Sequence, residues 1–156
     1  MVNAILLLLF CGVLLESSNL HADGPRMPRE TDKTWREECG SCHLAYPPSL
    51  LAADNWRRMM RGLDRHFGSN ASLDAASAAK ITAFLERNAS TRGQRNASST
   101  LRITDTPWFV REHDEVSPAT WRDSNVKSAA NCAACHRGAD RGDYDDHDIV
   151  IPITRR

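Results

Sequence analysis

Residues Glu38–Pro48 read ECGSCHLAYPP, and within them Cys39, Cys42 and His43 stand as C-x-x-C-H. The pattern returns 93 residues further on, in NCAACHRG, as Cys132, Cys135 and His136. Of the five cysteines in the 156-residue chain, only Cys11 lies outside the two motifs. What these pentapeptides bind decides what the rest of the chain folds around.

Three chemistries compete for C-x-x-C. A redox-active dithiol sits at a helix start in a βαβ context, and this chain has no strand-rich pattern. A zinc site can use four thiolates, but has no need of a His directly after each pair. Covalent haem uses every residue: the two thiols add to the haem vinyl groups as thioethers, and the adjacent His is held under the ring to bind iron. The expected cofactors are therefore two covalently bound haem c groups. Cys39 and Cys42 attach the first, Cys132 and Cys135 the second, with His43 and His136 as proximal ligands.

The first residues belong to a different problem. NAILLLLFCGVLL, from Asn3 to Leu15, is continuously apolar and is followed by polar ESSNLHADG. The run is short for a membrane span. With the small-residue site Leu20-His21-Ala22, it reads as a secretory signal peptide over residues 1–22, although no Lys or Arg precedes it. Export puts the chain in an oxidising compartment, where disulfides are a rival use of the cysteines. Beyond residue 22, 20 basic residues face 19 acidic ones, a formal charge of +1. That balance gives no bias toward nucleic acid or a membrane surface, so the expectation is a protein soluble after signal removal.

The remaining chain divides into residues 23–90, a polar linker over 91–100, and residues 101–156. The first part predicts three helices. One runs through TDKTWREECGSCH into the first motif. A second covers DNWRRMMRGLDRHFG, with Asp54 as N-cap, Trp56, Met59, Met60, Leu63 and Phe67 at helical spacing, and Gly68 as its end. A third follows Ser72 as cap, with Ala78, Ile81, Phe84 and Leu85 as its apolar stripe. The second part is less regular. Thr106-Pro107 and Ser117-Pro118 each pair a capping residue with proline at the first helical position. DYDDHD reads as a solvated loop, and IVIPIT is the only β-branched run. The fold class expected is mainly α, with hydrophobic side chains too sparse to make a core without the haems.

Each iron has a sixth position to fill. His66, spaced from Met59 and Leu63 along the helix predicted there, is the expected distal ligand of the first haem, with Met59 and Met60 as rivals or as packing against the ring. His113, in REHDE, is the expected distal ligand of the second. Its rival His147 lies only 11 residues after His136, a short path around a ring. Two His ligands on each iron close both sites, leaving only electrons to move, and place the potential low, since Met would raise it.

The phrases ECGSCHLAYPPSLL, NWRRMMRGLDRHFG, NASLDAASAAKI, LRITDTPWFVREHDEV, VKSAANCAACH and DHDIVIP, spread over most of the chain beyond residue 22, together resemble the small dihaem cytochromes c of bacterial periplasms. The first part is similar to the class I cytochrome c fold, and the second wraps its haem without a standard fold. The resemblance implies bis-His, low-potential electron transfer in the periplasm rather than catalysis. It also implies redox partners: a membrane b-type cytochrome and a small oxygen-binding monohaem cytochrome. The alternative is a haem enzyme or gas-binding protein with one open iron.

Overall fold

The computed structural model describes residues 24–91 and 99–152. The segment read as a signal peptide, most of the polar linker and the last residues of the IVIPIT run lie outside the described residues.

Helix α1 spans Lys33–Gly40 and starts at Asp32, whose Oδ1 accepts from the Trp35 backbone N–H at 3.0 Å. The cap satisfies one of the orphan donors of the first turn. Trp35 is buried, and Cys39 falls in the last turn. Just past the helix the Ser41 hydroxyl donates to the Glu38 carbonyl at 2.8 Å.

Helix α2 covers only Ala53–Arg61. Its N-cap is Ala52; Asp54, expected as the cap, lies inside the first turn, where a carboxylate faces the positive end of the helix dipole. The helix predicted to run to Gly68 ends at Gly62, whose N–H bonds to the Met59 carbonyl at 3.0 Å. Glycine propagates a helix poorly, and here the chain tightens instead into a 3₁₀ turn, Leu63–Arg65. His66 then adopts an extended backbone, and Phe67 and Gly68 take positive φ of 48° and 98°. The Ala71 N–H closes this loop onto the Leu63 carbonyl at 2.8 Å.

Helix α3, Ala75–Arg87, is capped by Asp74 rather than Ser72. Asp74 Oδ1 accepts from the Ala76 and Ser77 N–H groups at 2.9 and 3.0 Å. Ser72 stands too far upstream, and its own N–H bonds to Asn70 Oδ1. Helix α3 packs against both α2 and α1. Trp35, Leu51, Trp56, Met59, Ile81, Phe84 and Leu85 form the buried cluster between them, with the Trp35 and Phe84 rings 5.1 Å apart.

The second part has two short helices, α4 at Pro107–Glu112 and α5 at Pro118–Arg122. Both begin as the sequence predicts. Thr106 Oγ1 accepts from the Phe109 N–H and Ser117 Oγ from the Thr120 N–H. The rest is 3₁₀ turns at Ile103–Asp105, Cys132–Ala134, Ala139–Arg141 and Asp146–Asp148. Its large buried apolar side chains are few, chiefly Phe109 and Val126. Secondary structure among the described residues is helical, with isolated bridges in place of strands. None of the described helices is long and apolar enough to cross a membrane.

The two parts touch. The Tyr46 hydroxyl donates to the Ala130 carbonyl at 2.6 Å. Met27 lies against Gly142, where a Cβ would stand 1.7 Å from Met27 Cγ. Gly142 also has φ 79°, so both its backbone and its neighbour require the missing side chain.

Candidate functional site

The end of α1 sets the first motif. Cys39 is half-buried against the core cluster, while Cys42 and His43 face outward. His43 Nδ1 lies 2.6 Å from the Leu44 carbonyl oxygen. A carbonyl only accepts, so Nδ1 carries the proton and Nε2 presents its lone pair. A carbonyl behind an imidazole in this way orients it as a metal ligand. Opposite it stands His66, with ring centres 6.1 Å apart and planes 23° from parallel. The loop formed by the early end of α2 carries His66 there. Burial, then the charges of His43 and Arg102, hold the His66 pKa below its ordinary value, favouring the neutral ring.

The second motif forms a 3₁₀ turn, Cys132–Ala134, with the His136 N–H bonded to the Cys132 carbonyl at 2.8 Å. The tail folds back on it. Val150 N–H donates to the Cys135 carbonyl at 3.0 Å, and Ile149 bridges His136. His113, at the C-cap of α4, faces His136 with ring centres 6.2 Å apart and planes at 74°. Its Nδ1 lies 2.9 Å from the Phe109 carbonyl, which leaves Nε2 as the free lone pair. The Phe109 ring stacks on it at 4.0 Å and Trp121 closes a side at 5.9 Å. Burial and the neighbouring His113 hold the His136 pKa down, against an upward pull from Asp146 and Asp143.

The two gaps match a simple geometry. A metal between two imidazoles, each bound through nitrogen at about 2 Å, sets the ring centres roughly 6 Å apart. No group of three or more His, Cys, Asp or Glu among the described residues converges as a metal cage. Paired rings without a cage suit an iron whose other four positions come from a porphyrin, and do not suit a Cys₄ zinc site. The four described cysteines form no disulfide with one another. Before haem attachment, burial raises the Cys39 and Cys132 thiol pKa to about 11. The His66 Nδ1, His136 Nδ1 and Tyr144 hydroxyl are buried without a hydrogen-bond partner. Ile149, Val150 and Ile151 present exposed apolar side chains beside the second motif. Orphaned polar atoms at both motifs, and bare apolar surface at the second, fit a large amphipathic ring with polar edge groups.

The rival ligands stand elsewhere. Met59 is buried in the core cluster and Met60 packs against it. His147 lies exposed on the Asp146–Asp148 turn, its backbone N–H bonded to Asp145 Oδ1 at 2.8 Å. Sequence reasoning passes over two tyrosines. Tyr46, given no role by the motif reading, packs its ring on His43 at 4.9 Å. Tyr144, read as part of a solvated loop, buries its hydroxyl and lies 5.3 Å from His136. A tyrosine close behind each motif, among few aromatics, is the signal that could have found them.

Known proteins agree on the class. A family model described as dihaem cytochrome c matches residues 35–144. A diheme cytochrome c from Rhodobacter sphaeroides superposes with a TM-score of 0.66 at 45% identity, covering 72% of this chain and 95% of that one. A diheme cytochrome type c from Shewanella baltica OS155 gives 0.68 at 39% identity, covering 77% and 92%. No curated protein matches the chain.

Proposed function

Since the chain belongs to the dihaem cytochrome c family and carries two covalently bound haem c groups, we propose that it is a low-potential, bis-His electron carrier with both irons closed. Bound haem supplies a one-electron iron couple. Cys39 and Cys42 anchor one haem, and Cys132 and Cys135 the other. His43 and His136 are the proximal ligands, and His66 and His113 the distal ones.

The observation that carries this reading is the pair of facing imidazoles, 6.1 and 6.2 Å centre to centre. In each pair one ring has its Nδ1 committed to a backbone carbonyl, His43 to Leu44 and His113 to Phe109. Those rings are preset in the tautomer that ligates through Nε2. With a His on both sides, a substrate would have to displace a protein ligand to reach iron. The protein is then a carrier rather than an enzyme, and two imidazoles without a Met keep the potential low.

The cellular setting completes the proposal. The apolar leader and the cysteine chemistry support a periplasmic location in a bacterium. There it takes electrons from a membrane b-type cytochrome and passes them to a soluble acceptor such as a small oxygen-binding monohaem cytochrome. The near-balanced charge of the chain favours brief, weakly steered encounters over tight complexes. Carbon monoxide tests the closed sites. The reduced protein should show no rapid change in its haem spectrum on exposure to the gas. A rapid shift would restore the alternative, an enzyme or gas-binding protein with one open iron.

A further inference from the structure

The two motifs are joined through a phenol. The Tyr46 ring lies on His43, with centres 4.9 Å apart and planes 23° from parallel. Its hydroxyl donates at 2.6 Å to the Ala130 carbonyl, 84 residues along the chain. That distance is at the short end for O–H···O. The same carbonyl oxygen lies 3.8 Å from Cys132 Sγ, the first anchoring sulfur of the second motif. Tyr144 also lies close, its ring 5.3 Å from His136. From the ligand of one centre to the anchor of the other there is thus one aromatic ring, one hydrogen bond and two residues of backbone.

We propose that Tyr46 is the positioning residue of the inter-haem junction. Its phenol holds the peptide that carries Cys132 against the His43 face and sets the separation across which the two haems exchange electrons. In that exchange one iron passes from Fe(II) to Fe(III) while the other passes from Fe(III) to Fe(II). No bond forms or breaks and no proton moves. The Pro47-Pro48 pair that follows Tyr46 is fully buried, so the tyrosine sits on a stiff stretch of backbone whose φ angles are fixed. The proposal rests on the electron-carrier reading only in needing a haem at each motif; it does not depend on which residues are the distal ligands.

The test uses the holoprotein and Tyr46→Phe, which keeps the ring and removes the hydroxyl. Exchange spectra of the haem methyl resonances, taken on half-reduced protein at two protein concentrations, isolate the concentration-independent, intramolecular rate. We expect that rate to fall several-fold in Tyr46→Phe, with both haem spectra unchanged. Amide protection over residues 129–135 should fall about fivefold, the equivalent of one ordinary hydrogen bond. Tyr46→Leu, which also removes the ring, should slow exchange further; if it does not fold, Tyr46→Phe decides alone. An unchanged intramolecular rate in folded, two-haem Tyr46→Phe overturns the proposal, and does so even if amide protection falls, since that pattern is a purely structural bond. A five-coordinate iron in the wild type would overturn the ligand assignment instead and leave this rate comparison standing.

Discussion

His66 sits where its helix has already ended. The spacing from Met59 and Leu63 places it on a helical face, yet Gly62 stops α2 and a 3₁₀ turn swings the imidazole out toward His43. Its sequence position alone does not show this, because a single glycine inside a periodic run is often tolerated. The four motif cysteines and the two adjacent histidines are legible for the opposite reason: their spacing is the chemistry. Tyr144 is the reverse case, an aromatic hidden among aspartates whose burial comes from contacts far along the chain. If His66 is an axial ligand, His66→Met raises the potential of one haem by a fraction of the roughly 0.8 V that axial ligation spans. The other haem stays nearly unchanged. Redox potentiometry reads both; no movement in either would remove His66 from the ligand set.

Local rules set the helix starts of the second part. Thr106-Pro107 and Ser117-Pro118 each cap a helix as the pattern predicts, because a side-chain cap and a fixed proline φ need nothing from the rest of the fold. In the first part, where Ser72 and Asp74 both offer a cap, the residue immediately before the helix wins. Ala52 serves at the start of α2 with no side-chain bond, a choice set by tertiary packing of Leu51 and Trp56 rather than by capping preference. Helix α4 is only Pro107–Glu112, yet it carries both Phe109 and His113 to the second centre. Thr106→Ala should therefore destabilise the holoprotein by about 1 kcal/mol, read from urea melts followed at the haem band. The second haem should respond before the first. A melt in which the first haem is lost earlier would contradict this division of labour.

Among the described residues, protein side chains alone build one large core, the cluster around Trp35, Trp56 and Ile81. The second part buries few large apolar groups of its own. A domain of about 60 residues is marginal on its own, and the stretch beyond the linker, 101–156, numbers 56 residues. Haem at the second motif is then structure as much as cofactor, and the second part without its haem should lack fixed tertiary packing. Replacing Cys132 and Cys135 together by Ser should leave one covalent haem by intact mass, with the helices of the first part retained by circular dichroism. A mass still carrying two haems would contradict the motif assignment.

The central claim is that each iron lies between two imidazoles. Low-temperature electron paramagnetic resonance, combined with near-infrared magnetic circular dichroism on the oxidised holoprotein, reads axial ligation directly. Two low-spin irons, each with two His ligands, is the predicted result. A high-spin iron, or a charge-transfer band of Met ligation, would contradict it and reopen one site to substrate.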